Sequence, residues 1–305
     1  MNYLELLAPD FSLILCGYLI CRFTPLDRTV WDQVEKLVYY FLFPVLLFQS
    51  IVRRPIDLQA ASGMVLAGLA TGAVAVGLAY ALPRLPGWRG KVNGADAAAS
   101  AQVAFRFNSF IGLALAERLA GDHGLQLIAV LLGCCVPLFN IAAVYPMARH
   151  GGHGVFRSIL RNPLVIATLS GLVLSVAGFT LPGWLTPSLT RLGGASLPLG
   201  LLSAGAGMQF GAMSGGWRLA GGMLTIRHVV WPVLAFTFSR LLHLDETQTA
   251  VLLAFSGLPT ASTCYVLTAR MGYNGPFVAG LVTISTLLGL VSLPFALKLP
   301  EWFGG

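Results

Sequence analysis

Charge is scarce in this chain. Of 305 residues only 19 are Lys or Arg and 12 are Asp or Glu, or 10%, against roughly 25% in an ordinary soluble domain. So few charges cannot cover a soluble surface of that size. Cysteine is also sparse: the five at 16, 21, 134, 135 and 264 lie in apolar stretches, at no metal-ligand spacing, and Cys134 and Cys135 are adjacent rather than a CxxC pair. They read as small membrane-compatible residues, which excludes a disulfide scaffold and a zinc module. The net charge of +7 comes from scattered residues that form no basic stripe with interleaved aromatics, so no nucleic acid partner is implied. Within the apolar runs there is no HExxH, no paired Asp and no Ser with a His, the groups that an intramembrane protease or acyltransferase needs. The N-terminal MNYLELLAPDF is acidic where a signal peptide is basic and has no small-residue cleavage site, so the first apolar run is expected to stay in the mature protein.

What the chain has in abundance is apolar residues, 56% of the total, with a mean hydropathy of +0.77. Apolar runs lie near 8–23, 33–52, 60–83, 96–120, 124–147, 162–181, 192–213, 226–243, 247–271 and 276–298. About 20 apolar residues of helix cross a hydrocarbon core. Lipid leaves no partner for open backbone groups, and these runs show no alternation of period two, so an all-α polytopic membrane protein of ten transmembrane helices is expected. Basic residues orient it. The odd-numbered connections hold twelve (Arg22, Arg28, Lys36, Arg84, Arg89, Lys91, Arg149, Arg157, Arg161, Arg218, Arg227 and Arg270) and the remaining connections and tails hold six (Arg53, Arg54, Arg118, Arg191, Arg240 and Lys298). The bias predicts odd connections inside and both termini on the outer side.

The chain also repeats itself. Gly17 and Pro44 are 27 residues apart, and so are Gly171 and Pro198 half a chain later; Asn108 then interrupts the fourth run and Pro259 the ninth. Two halves of five helices each enter the membrane from opposite sides, an inverted repeat of the kind that secondary transporters use. The division expected is 1–147 and 162–305 as the two repeats, joined by a cytoplasmic hinge at 148–161.

Matching interruptions in two halves point to a binding site near the membrane midplane, where the broken helices four and nine are expected to cross. The fourth run carries Arg106, Asn108 and Ser109 just before Gly112; the ninth carries Ser256, Gly257, Pro259, Thr260, Ser262 and Thr263. An Arg at membrane depth costs at least ~2.5 kcal/mol and needs a partner or a watery cavity. Half-helix N-termini bring roughly half a unit of positive charge each. Together these favour a small organic carboxylate as ligand. Plainer roles compete: Arg106 as a clamp on Asp96 or Glu117, Asn108 as glue between helices, and the hydroxyls around Pro259 as repair of its kink. Gln49 and Asn140 are further candidates for the lining, while His150 and His153 in the hinge lack a third ligand for a metal. No cofactor is implied beyond a coupling ion, H+ or Na+, and neither Asp10, Glu5 nor Glu117 is central enough to decide between them and a uniporter.

At YYFLFPVLLFQSI, RFNSFIGLALAERLAGDHGLQL, RNPLVIATLSGLVLS, LTRLGGASLPLGLLSAGAGM and LAFSGLPTASTCYVLTARMG the sequence resembles the auxin efflux carrier family, a bacterial-type permease of the bile/arsenite/riboflavin transporter group, over nearly its whole length. The resemblance implies a five plus five arrangement with a scaffold and a transport domain, elevator-type alternating access, carboxylate transport across a bacterial inner membrane, and in many cases a homodimer. Asn108 matches the Asn before the family's first crossover and Pro259 falls in the second. Where many relatives carry a proline in helix four, Gly112-Leu113 is followed here by Ala114, which predicts a softer break. The expected function is a secondary transporter of a small organic anion and not an enzyme; the alternative is a membrane solute receptor that does not transport.

Overall fold

The computed structural model describes residues 3–52, 58–88, 92–148, 163–209, 216–261 and 263–303, and among these residues every regular element is helical. Residues 149–161 of the expected 148–161 hinge, with His150 and His153, lie outside them, as does Ser262. Each apolar run coincides at least in part with helix. Among the described residues four stretches are long and apolar enough to cross a membrane by length and composition: Ser62–Arg84, Gly94–Met147, Trp217–Leu241 and Gly275–Phe303.

The elements are α1 (Tyr3–Phe23), α2 (Arg28–Leu37), a π-helical turn (Val38–Leu42), α3 (Phe43–Val52), α4 (Leu58–Ala81), α5 (Gly94–Ser100), a 3-10 turn (Ala101–Ala104) and α6 (Ser109–Ala148). Then follow α7 (Pro163–Val176), α8 (Thr186–Ala206), α9 (Trp217–Thr225), a second π-helical turn (Ile226–Val230), α10 (Trp231–Leu241), α11 (Glu246–Gly257), α12 (Thr263–Arg270) and α13 (Gly275–Phe303). Starts are set by side-chain caps: Asp27 accepts from the N–H of Thr29, Asn93 from that of Ala95 and Asp245 from that of Gln248, which fill donors that a helix leaves open. Within α6 the end of the fourth run and the fifth run are two helical segments that meet at Ala120 and Gly121, whose backbone is not helical; Gly121 takes a positive φ of 57°, so the connection is a tight turn. The eighth run begins well before position 226, since the helix from Trp217 passes through Arg227 and His228 by way of a π turn.

By contacts the chain forms two compact units, each drawing on both halves of the sequence: residues 1–65, 109–137 and 155–207 in the first, and 66–108, 138–154 and 208–305 in the second.

The first unit is packed through glycine. A methyl group on Gly17 of α1 would collide with the backbone of Leu202 in α8, and one on Gly205 would collide with the carbonyl of Ile14. On α7, Gly171 lies against α3, where an added Cβ would stand 3.2 Å from that of Ile51 and 3.4 Å from the Phe48 carbonyl. Small residues let helix backbones approach closely where lipid gives no hydrophobic drive to associate. The buried Asp10 of α1 pairs with Arg118 at 3.0 Å, and Gln49 of α3 donates to the Thr190 hydroxyl at 2.7 Å.

The second unit is centred on rings. Phe107, Phe139, Trp231 and Phe255 close a cycle of edge-to-face contacts with centroids 4.6–6.0 Å apart. Each such pair adds about 0.5–1.5 kcal/mol beyond area burial. The Trp231 indole N–H is satisfied by the Thr71 hydroxyl at 3.2 Å. Phe107 stands between Arg106 and Asn108, so the cycle fixes the backbone on which the candidate site is built.

Candidate functional site

Both expected breaks are present in the second unit. Along the fourth run α5 tightens into the 3-10 turn at Ala101–Ala104, residues 105–108 leave the helix, and α6 resumes at Ser109. Ala114 does not erase the break, because the helical segment through Gly112, Leu113 and Ala114 begins only after it. Along the ninth run α11 stops at Gly257, residues 258–261 are non-helical, and α12 starts at Thr263. Pro259 has no N–H, so the Phe255 carbonyl loses its donor four residues on.

The two interruptions touch. The Asn108 N–H donates to the Pro259 carbonyl at 2.8 Å, and the Thr260 hydroxyl donates to the Arg106 carbonyl at 2.9 Å. Thr260 also gives its N–H to Ser285 on α13 at 2.9 Å. Four of the sequence candidates, Arg106, Asn108, Pro259 and Thr260, are thus joined by backbone and hydroxyl hydrogen bonds, with Thr263 linked through the Arg106 side chain.

That side chain is half-buried, and its partners among the described residues are all neutral. Nη1 donates to Gln102 Oε1 at 2.9 Å and lies 3.7 Å from Cys264 Sγ; Nη2 donates to Thr263 Oγ1 at 2.9 Å. The clamp on Asp96 is not made: Asp96 accepts from Asn274 at 3.3 Å. Glu117 belongs to the other unit. Gln102 holds the arrangement from behind. It is fully buried, and its Nε2 reaches Ala99 O at 3.1 Å, Cys264 O at 3.2 Å and Thr268 Oγ1 at 2.9 Å. The result is a guanidinium fixed beside the first turn of α12, where open N–H groups and the helix dipole add positive potential.

Other candidates serve packing or lie elsewhere. Ser256 gives its hydroxyl to Leu253 O in its own helix at 2.8 Å. Gly257 permits close contact with α13, where an added Cβ would meet the Ser292 carbonyl and the Ala296 Cβ at 3.1 Å. Asn140 is half-buried in the second unit's part of α6. Gln49, Ser109 and Gly112 belong to the first unit.

The sequence reading missed a second polar layer beneath the break. Arg227, counted among loop cations, is fully buried and donates from Nε to Leu258 O at 2.6 Å and from Nη2 to Phe255 O at 3.3 Å. Its guanidinium carbon lies 4.2 Å from the Trp231 ring centroid. Next to it His228 bridges α13, with Nε2 2.7 Å from Ser285 Oγ and Nδ1 2.8 Å from Ser292 Oγ. Ser292 donates to the Gly257 carbonyl at 3.0 Å, which assigns the ring proton to Nδ1 and leaves Nε2 to accept from Ser285. A signal was available: Arg227 and Trp231 are four residues apart on one helix face, a spacing that brings a cation over a ring.

Such a site can hold a small solute against a fixed cation and helix-end donors, and among the described residues no cluster of His, Cys, Asp and Glu could hold a metal ion. Residues 146–297 match the family model described as membrane transport protein. A Rhizobium meliloti (strain 1021) protein provisionally named a malonate transporter is 24% identical over 302 residues, covering 94% of this chain and 92% of its own. A Methanothermobacter thermautotrophicus protein named an uncharacterized transporter is 26% identical over 306 residues, covering 96% and 97%. A Methanocaldococcus jannaschii transporter is 30% identical over 150 residues, 46% of this chain and 48% of its own. The matched family and the relatives are membrane transporters and not enzymes, in agreement with the auxin efflux carrier resemblance.

Proposed function

We propose that this protein is a secondary transporter that carries a small organic carboxylate by elevator-type alternating access, with the solute held at the paired helix breaks of one compact unit. The observation that carries the reading is Arg106: a guanidinium in an apolar run, aligned by Gln102 and Thr263 and met by no carboxylate among the described residues. A cation kept at depth without a counter-charge invites an anion. Asn108, tied to Pro259, stands two residues on, and the N-terminus of α12 supplies further donors. Ser262 extends the candidate set along the ninth run, and Asn140 is its outlying member.

Reciprocal packing supports a ten-helix inverted repeat. Gly17 of the first run lies on Leu202 of the seventh, while Gly171 of the sixth lies on Phe48 and Ile51 of the second. Each contact maps onto the other when the chain is shifted by half its length, with 1–147 and 162–305 as the repeats about the 148–161 hinge. Elevator motion suits a site whose mutually bonded members all belong to one unit. In this reading the membrane is a bacterial inner membrane, both termini lie on the outer side, and the protein works as a homodimer. The name of the Rhizobium meliloti relative makes malonate the first solute to try.

The test is a thermal-shift screen of the detergent-solubilised protein against mono- and dicarboxylates, aromatic acids, and neutral and cationic controls. A ligand that binds only the folded state raises its apparent stability with concentration over affinity. The reading expects one carboxylate class to stabilise, with the shift lost in Arg106→Ala and in Asn108→Ala. Stabilisation by neutral or cationic solutes alone would overturn it.

A further inference from the structure

The carbonyls at a helix break are the groups with which a transporter binds sodium: unwound backbone oxygens at the negative end of a half-helix. In this protein four of those at the end of α11 already have donors. The break after α11 takes the i+4 donor from the Phe255 carbonyl, because Pro259 has no N–H, and leaves it a long bond of 3.4 Å from the Leu258 N–H; the carbonyls of Gly257, Leu258 and Pro259 lose theirs because the helix does not continue. Arg227 donates to two of them, at 3.3 Å for Phe255 and 2.6 Å for Leu258. Ser292 donates to Gly257 at 3.0 Å, and the Asn108 N–H to Pro259 at 2.8 Å. On the partner break, the Thr260 hydroxyl donates to the Arg106 carbonyl.

The occupant that matters is Arg227. It is 0% exposed, and among the described residues its partners are the two carbonyls and the Trp231 ring, with no carboxylate. The ion pairs present elsewhere, Arg28 with Asp32 and Glu35 and Arg118 with Asp10, do not involve it. Its charge is balanced by helix-end carbonyls and the face of an indole, the surroundings that suit a bound cation. His228 reinforces the arrangement by aligning Ser292 on the Gly257 carbonyl and Ser285 under the Thr260 N–H.

We infer that Arg227 is a built-in cation seated on the carbonyls that a coupling sodium ion would use, so that transport by this protein is independent of sodium. This rests on the transporter reading above and narrows it, since a carbonyl-bound sodium ion is the coupling that the break would otherwise permit. Arg227 is a positioning residue: it keeps the α11 end closed and polarised without touching solute.

The experiment compares the native protein, Arg227→Met and Arg227→Lys in sodium chloride and in N-methyl-D-glucamine chloride at equal ionic strength. Two quantities are read: melting temperature without organic solute, and initial carboxylate flux in proteoliposomes at a fixed membrane potential. The native protein and Arg227→Lys, which keeps the charge, give the same melting temperature and flux in both salts. Arg227→Met frees the Leu258 carbonyl, leaves Phe255 O with only the long Leu258 N–H bond, and gains a sodium-specific upward shift in melting temperature. A sodium response in the native protein overturns the inference, and so does a folded Arg227→Met with none. Should Arg227→Met not fold, the native protein and Arg227→Lys decide the matter by the same criterion. The melting-temperature arm needs no organic solute, so it stands even if carboxylate transport itself fails.

Discussion

The two helix interruptions of the second unit are made by opposite means. The ninth run is broken by Pro259, which removes a donor and frees carbonyls; the fourth run contains no proline at its break and is held open by side chains and rings. Gln102 spends its amide on Ala99, Cys264 and Thr268, and Phe107 is locked into the aromatic cycle with Phe139, Trp231 and Phe255. The difference shows that a break can be written in one residue or spread over many, and that each kind creates its own obligation. A proline break needs a foreign donor for the carbonyls it frees, and Arg227 meets that need. A break without proline needs packing to stop the helix from closing up.

Substitutions that separate these two means should separate in effect. The largest loss is expected from Trp231→Ala, which opens the aromatic cycle and removes the face on which Arg227 rests; truncating a large buried ring costs about 3–5 kcal/mol. Chemical unfolding in detergent would measure it, and both breaks should loosen together. Gln102→Leu acts on the fourth run alone. It removes the amide's bonds to Ala99, Cys264 and Thr268 and releases Arg106 Nη1, at about 1–3 kcal/mol for buried groups left unpaired, and carboxylate binding should weaken with it in a thermal-shift titration. Thr263→Ala removes one partner of Arg106 and should cost about 0.5–1.5 kcal/mol, with a smaller loss of affinity in the same titration. Pro259→Ala has the least effect on stability, within about 1 kcal/mol, since a backbone donor for Phe255 returns. Its signature is functional: flux falls while the melting temperature holds, because the refilled helix competes with Arg227 for the same carbonyl.

Much of the second unit was legible in the sequence because a polar or helix-breaking residue inside an apolar run is conspicuous. Arg106, Asn108 and Pro259 stood out in this way, and the structure bonds them to one another directly or through Thr260 and Thr263. The supporting layer was not legible. Arg227 sits near the nominal edge of its run, so it passed for a loop cation, and its partners are 28 and 31 residues away. Gln102 is an ordinary helix residue in sequence, and its role appears only through bonds to α12, more than 160 residues on. Ser285 and Ser292 look like helix filler until His228 is placed between them. Single-residue features show in a sequence; pairings across long separations do not.

The central claim, that Arg106 and Asn108 hold a carboxylate for transport, is tested most directly by flux in proteoliposomes loaded with the native protein or the Arg106→Ala, Asn108→Ala double variant, with malonate as the first labelled solute and other mono- and dicarboxylates alongside. The account predicts saturable uptake of at least one carboxylate by the native protein and loss of that uptake in a double variant that still folds. Equal uptake by the two proteins, or transport confined to neutral or cationic solutes, would contradict it.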